Sequence, residues 1–188
     1  IPWTWFTTVI SQGSGIFVYN SNLIKKVYFP REILPISTVT AGLINFFISC
    51  IIILIFVLLG GCGISWHLIF LPFIALIQYI FSLALVFLIS ALNVYIRDVE
   101  YIVVFILNML FYATPVLYSY EMFAGTNLIW LFRLNPMAHL INAYRDIFYV
   151  HAIPKIGNLM MVFGVSILLL VICYFIFKKL EKRFAEEL

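Results

Sequence analysis

The chain has 188 residues, 65% of them hydrophobic and 10% charged, with a net charge of +3 and a mean hydropathy of +1.13. A water-soluble fold is nearer half apolar and one quarter charged, so lipid is the solvent here. The apolar runs do not alternate as barrel strands do, which leaves an all-α membrane protein, and the small charge gives no reason to expect a nucleic-acid partner.

Five candidate spans emerge in chain order, each near the roughly 20 residues that a helix needs to cross the hydrocarbon core. They cover residues 2–19, 36–59, 66–92, 101–117 and 159–177 of one transmembrane domain. The first contains Ser11-Gln-Gly-Ser-Gly15, where small residues point to close helix packing. The second ends at Gly60-Gly-Cys-Gly63, and the last stops at Lys178-Lys-Leu-Glu-Lys-Arg183.

Between the spans lie connectors 20–35 and 93–100, an outer segment 118–157 and a tail 178–188. Alternating the faces places Lys25, Lys26, Arg31, Arg97, Lys178, Lys179, Lys182 and Arg183 on one side, against Arg133, Arg145 and Lys155 on the other. The richer side is then cytoplasmic. The C-terminus is expected inside and residue 1 outside, which suggests a missing earlier span and six spans in the intact protein.

The outer segment holds two short apolar runs, Leu128–Phe132 and Pro136–Val150. Asn135-Pro136 reads as an N-cap followed by proline at the first helical position. Met137, Leu140, Ile141, Tyr144 and Phe148 then recur on one face, with His139, Asn142 and Asp146 opposite, as in an amphipathic helix. The segment is expected to form a helical hairpin, either re-entrant and lining a pathway or lying flat as an interfacial anchor.

The sequence has no phosphate-binding Gly-x-x-x-x-Gly-Lys loop and no clustered nucleophile and base. Cys50, Cys62 and Cys173 are widely separated, and His67, His139 and His151 lack ligand spacing, so no metal or haem site is expected. The spans contain almost no ionisable residue, whereas ion-coupled carriers usually bury acids at mid-membrane. Asn45, Gln78 and Asn108 are the main polar insertions and read chiefly as interhelical hydrogen-bond partners. Energy should therefore enter from outside the spans.

Connector 20–35 is the natural place. Leu23, Ile24, Val27 and Tyr28 can form one strip of a short helix with Lys25 and Lys26 turned away, and Pro30 ends it by forcing Phe29 out of helical geometry. The simpler reading of both connectors is topological, with charges holding helix ends at the interface.

The stretch Asn22-Leu-Ile-Lys-Lys-Val-Tyr-Phe-Pro-Arg-Glu-Ile-Leu-Pro35 resembles the first cytoplasmic connector of bacterial type-2 ABC exporter permeases. Those permeases move O-antigen, capsule or teichoic acid chains. Ser90-Ala-Leu-Asn-Val-Tyr-Ile-Arg-Asp-Val-Glu100, Thr114-Pro-Val-Leu-Tyr118, Leu134-Asn-Pro-Met-Ala-His-Leu-Ile-Asn-Ala-Tyr-Arg145 and the closing Leu180-Glu-Lys-Arg-Phe-Ala185 follow in the same order. The family normally begins with an interfacial helix and one more span.

The resemblance implies a homodimer in the bacterial plasma (inner) membrane that carries a lipid-linked glycan outward. It implies no cofactor on this chain, with ATP and Mg bound by a separate ABC ATP-binding subunit. Lys25, Lys26, Tyr28, Phe29, Pro30, Arg31 and Glu32 would lie at or near that subunit, and Arg97, Asp98 and Glu100 would serve the second connector. Asn135, Pro136 and Arg145 belong to the outer hairpin, part of the exit. Tyr112, Tyr118, Tyr120, Trp130 and Tyr144 gather toward the outer side, either as a sugar path, since rings stack on sugar faces, or as an interfacial belt. The same fold could carry a drug or lipid, and a membrane-bound glycan-modifying enzyme is the competing class.

Overall fold

A computed structural model describes residues 1–26, 29–59, 66–116 and 134–184. Tyr28, Cys62, Tyr118, Tyr120, Trp130 and the first half of the expected hairpin lie outside the described residues. Every regular element among the described residues is helical. In chain order these are α1 (Pro2–Ser14), α2 (Ile16–Tyr19), α3 (Ser21–Lys26), α4 (Ile33–Leu59), α5 (Leu71–Tyr95), α6 (Val99–Tyr112), α7 (Pro136–Arg145) and α8 (Ile156–Leu180). Short 3-10 turns precede α5 at Trp66–Phe70 and follow α8 at Glu181–Arg183.

Among the described residues, three helices are long and apolar enough to cross a membrane: Ile33–Phe56, Trp66–Tyr95 and Ile156–Arg183. The segments expected as the first and fourth spans are shorter. α1 has 13 residues and α6 has 14, a rise of roughly 20 Å each against a core of about 30 Å. Gly15 interrupts the first between α1 and α2. Pro115 follows α6 closely, and proline disfavours helical geometry in the residue before it. The connectors contract in turn. α4 begins at Ile33 with Pro35 in its first turn, where a missing N–H costs little. α5 continues to Tyr95, so only Ile96, Arg97 and Asp98 separate it from α6.

The most buried of the three long helices is α5. It touches α1, α2, α4, α6, α7 and α8. Ile74, Ile77, Ala84, Val86 and Ala91 on it are fully enclosed. α1 lies in the angle between α4 and α5, with Trp5 stacked on Phe46 at 4.7 Å and Phe6 on Phe81 at 5.8 Å. Two glycines permit this approach: a Cβ on Gly13 would sit 2.6 Å from Val86 Cγ1, and one on Gly42 would collide with Val9 Cγ2. The small residues of α1 thus do serve close packing, as small residues do between membrane helices. Gln78 is buried and its amide donates to the Pro2 carbonyl at 2.8 Å, the interhelical role expected of it. Cys50 and Cys173 are buried and unbridged.

α4, α6 and α8 each turn a broad apolar face outward. Ile44, Ile48, Ile52 and Phe56 on α4, Ile102, Phe105 and Met109 on α6, and Leu168 and Phe175 on α8 are all exposed. In water such faces would be untenable, but they suit lipid or a second helical surface.

α7 forms as its local sequence dictates. The Asn135 side chain accepts from Met137 N at 3.0 Å, Pro136 opens the helix, and Met137, Leu140, Ile141 and Tyr144 are buried. Beyond Arg145 the backbone widens into a π-helical turn, Asp146–Val150, closed by His151 in the left-handed region. The wider turn shifts the buried face, so Ile147 is fully enclosed and Phe148 only half-buried.

Candidate functional site

The end of the molecule that carries α3 and the C-terminal turn is called the tail end here, and the end that carries Asn135 the cap end. At the tail end, connector residues 29–32 lie against the last turn of α8. Glu32 pairs with Lys178 and accepts from the Tyr174 hydroxyl at 3.3 Å. Lys178 also reaches Glu181 at 2.9 Å. Burial alone would raise the Glu32 carboxyl, but the hydrogen bond and charge of Lys178 outweigh it and hold the pKa below the usual carboxylate value.

Arg31 donates to the Glu181 carbonyl and sits 5.5 Å over the Phe184 ring. The Tyr95 hydroxyl donates to the Leu180 carbonyl at 2.8 Å. These two side chains add donors to carbonyls at the end of α8, the Glu181 carbonyl also accepting the Phe184 N–H of the closing turn. Phe184 is fully buried, 5.0 Å from Phe17 and 5.9 Å from Phe177.

Connector and tail border an open cleft of about 640 Å³ whose walls include Ile24, Phe29, Pro30 and Lys182. Lys25 and Lys26 also line it and are exposed, as expected, and Ile24 is buried. Leu23 is exposed, so the expected apolar strip of α3 is narrower. In the second connector Arg97 and Asp98 are exposed. Glu100 instead falls in the first turn of α6, where it takes the Tyr19 hydroxyl, and its N–H donates to Asn93 Oδ1 at 3.1 Å.

At the cap end, the last turns of α6 meet the start of α7. Asn135 Nδ2 donates to Thr114 Oγ1 at 2.9 Å, and Arg145 donates to the Pro115 carbonyl at 3.0 Å. Asn135 therefore caps one helix with its oxygen and ties down another with its nitrogen. Asp146 is pushed up by burial, against the lowering effects of Lys155 and Arg145.

Between the ends, α1 and α6 border a groove of about 360 Å³. Trp3, Phe111 and Tyr112 supply its rings, and Thr7, Ser11 and Asn108 its polar groups, over Val104 and Leu107. Trp3 and Phe111 centroids are 6.0 Å apart, and Phe111 meets Tyr112 edge-on at 5.5 Å. The polar groups continue along α1, where Thr4, Thr8 and Gln12 recur every four residues and are all exposed. Residues so spaced share one helix face. A run of hydroxyls and amides on a helix at membrane depth is costly against lipid and suits a watered space or a partner surface. Among the described residues, no carboxylate, lysine or arginine lines the groove, and its described lining suits a neutral hydroxyl-bearing chain better than an ion.

Sequence reasoning passed over Thr4, Thr7 and Thr8, and read Ser11 and Gln12 as part of a helix-packing stretch, not as part of a polar face. Each is unremarkable alone, and the signal was their spacing of three and four, read as a face. Of the expected ring residues, Tyr112 is exposed on the groove, whereas Tyr144 is buried in the core, edge-on to Phe46 at 5.5 Å. Asn108 faces the groove and Asn45 is exposed on α4, so neither joins Gln78 as a buried helix-to-helix tie.

A helical membrane chain with its first connector fastened to the tail and a capped helix fastened to the end of α6 has a recognised class. Residues 1–149 match the family model of the ABC-2 type transporter, and the chain belongs to that family. Among curated proteins it is 36% identical over 189 residues to the O-antigen export system permease protein RfbA of Myxococcus xanthus, which covers all of this chain and 73% of the relative. A namesake from Klebsiella pneumoniae is 32% identical over 188 residues, covering all of this chain and 72% of the relative.

Proposed function

We propose that this chain is the transmembrane permease of an ATP-driven exporter that moves a lipid-linked polysaccharide, of O-antigen type, out across a bacterial plasma membrane. The end-to-end similarity to O-antigen export permeases carries this reading. The groove supports it physically. Rings set beside amides and hydroxyls in one groove would hold a sugar chain weakly at many points, so that it can slide. A single copy presents the polar face of α1 and the ring-bearing end of α6 openly, and two copies would close them into one water-filled path. This homodimer accounts for apolar faces that a lone chain leaves bare.

The tail end would be cytoplasmic, following the excess of lysine and arginine there, and would receive an ABC subunit that binds ATP and Mg. Lys25, Lys26, Arg97 and Asp98 are the exposed connector residues available for that contact. The expected five spans are retained: α1–α2 and α6 are short, and packing against α5 lets them cross the bilayer jointly with their neighbours. The segment 118–157, with α7 as its second half, would form the outer hairpin at the exit.

The test is reconstitution of the permease with its ATP-binding partner in vesicles loaded with lipid-linked glycan. ATP should bring the glycan to the far side, where a membrane-impermeant lectin reads it. Glycan that stays put while ATP is consumed and both subunits are present would reject the assignment of cargo. Replacing Gln12 and Asn108 together with leucine should cut transport while leaving membrane insertion and partner binding intact.

A further inference from the structure

We infer that Arg31 and Glu32 are positioning residues that lock the connector to the end of the last span, with Phe184 as the pin of that lock. The inference rests on the reading that the tail end receives an ATP-hydrolysing partner. It departs from that reading in assigning these two side chains an internal task, since the resemblance alone would place them at the partner.

Three observations carry it. The first is that both side chains are already engaged. The Glu32 carboxylate holds Lys178 and Tyr174 of α8, and the Arg31 guanidinium holds the Glu181 carbonyl. Lys25 and Lys26, six and five residues before Arg31, are exposed and have no ion-pair partner among the described residues. The second is that the bonds fall at a helix end. Arg31 and Tyr95 donate to the Glu181 and Leu180 carbonyls where α8 gives way to its closing turn, and cations near a helix C-terminus are favoured by its dipole.

The third is that the tail cannot swing away without exposing Phe184. That ring is fully buried against Phe17 of α2, Phe177 of α8 and Tyr95 of α5. Glu32 directly precedes α4. A push on the connector therefore acts on α4 through the backbone and on α8 through the lock, and two long helices move as one lever. Without the lock the connector could shift while α8 stayed behind.

The experiment uses the complete transporter, permease with its ATP-binding partner, in vesicles. It measures partner retention, ATP hydrolysis and glycan transported per ATP. Glu32→Lys and Lys178→Glu are made singly and together. Each single variant should keep the partner and hydrolyse ATP, while transport per ATP falls about tenfold, within the usual range for a removed coupling free energy. The double variant should recover most of the loss, because the pair is restored with its signs exchanged. A contact that merely stabilised the fold would lower protein yield without changing transport per ATP.

Glu32→Gln and Phe184→Leu change size little and extend the test if charge reversal prevents insertion; both should lower transport per ATP with the partner retained. Unchanged transport per ATP in these variants would overturn the lock. So would loss of the partner from the Glu32 variants alone, since that makes Glu32 a docking contact. A wild-type permease that binds no ATP-hydrolysing partner would instead reject the broader functional reading, and the lock with it.

Discussion

At the tail end, Glu32 and Lys178 are joined across 146 positions by charge, with Arg31 and a buried ring beside them. At the cap end, Asn135 and Arg145 reach Thr114 and Pro115 across 21 and 30 positions, a neutral amide on a hydroxyl and a guanidinium on a carbonyl, with no carboxylate in either bond. Both ends fasten the terminus of a helix through side chains that come from elsewhere in the chain. They differ in what can loosen them. An ion pair that is partly exposed responds to pH, salt and the approach of another charged surface. The tie of a cap to a hydroxyl does not. A transporter that takes force at one end and releases cargo at the other would use that difference, with an adjustable fastening on the driven side.

The largest way to break the comparison is to remove the pin. Phe184→Ala should lower stability by about 3 kcal/mol, the low end for truncating a buried phenylalanine, read as a drop in the thermal midpoint in detergent. The cap-end contacts should survive in its folded fraction, so a cross-link between cysteines placed at positions 114 and 135 should still form.

Next comes Asn135→Ala, which removes an N-cap and a side-chain tie together. A loss of about 1–2 kcal/mol is expected, equal at pH 7 and in acid because neither bond titrates. Equal loss in an Asn135→Ser variant, which keeps the cap but shortens the reach to Thr114, would show that the tie and not the cap carries the effect.

Third is the ion pair itself, worth about 1 kcal/mol once the exposure of Lys178 is allowed for. The folded state depresses the Glu32 pKa. Its stabilisation is therefore complete above the unfolded carboxylate value and is lost as pH falls through the lower folded value. The gap in unfolding midpoint between wild type and Glu32→Gln should be present at neutral pH and close in acid. Asp146 at the cap end behaves oppositely. Burial raises its pKa, so its charged form costs stability above the folded value and that cost is relieved in acid. An Asp146→Asn variant should therefore gain on wild type at neutral pH and match it in acid.

The smallest effect on stability is expected between the two ends. Gln12→Leu alters an exposed side chain on α1 and should stay within about 0.5 kcal/mol of wild type. Its consequence should appear in glycan transport alone, which separates the groove from both fastenings.

Much of this molecule is written locally. Long apolar runs announce α4, α5 and α8 because lipid requires every backbone group to be satisfied within the segment. Asn135-Pro136 announces α7 because a cap acts over two or three residues. The ordered motifs around Asn22–Pro35, Ser90–Glu100 and Leu134–Arg145 pointed to the family to which the chain belongs. The short reach of α1 and α6 was harder to read, since hydropathy does not register where Gly15 and Pro115 end a helix.

The tertiary structure decided which charged residues are engaged and which remain open. Arg31, Glu32, Lys25 and Lys26 read together as one charged connector, and only the return of Lys178, Glu181 and Phe184 from the far end of the chain separates them. It also decided that threonines and a glutamine scattered through α1 form one exposed polar face, while the neighbouring tryptophans and valine are buried. The physical reason is the same in both cases. A side chain's environment is set by whatever packs beside it, and for these residues the deciding neighbours lie on other helices.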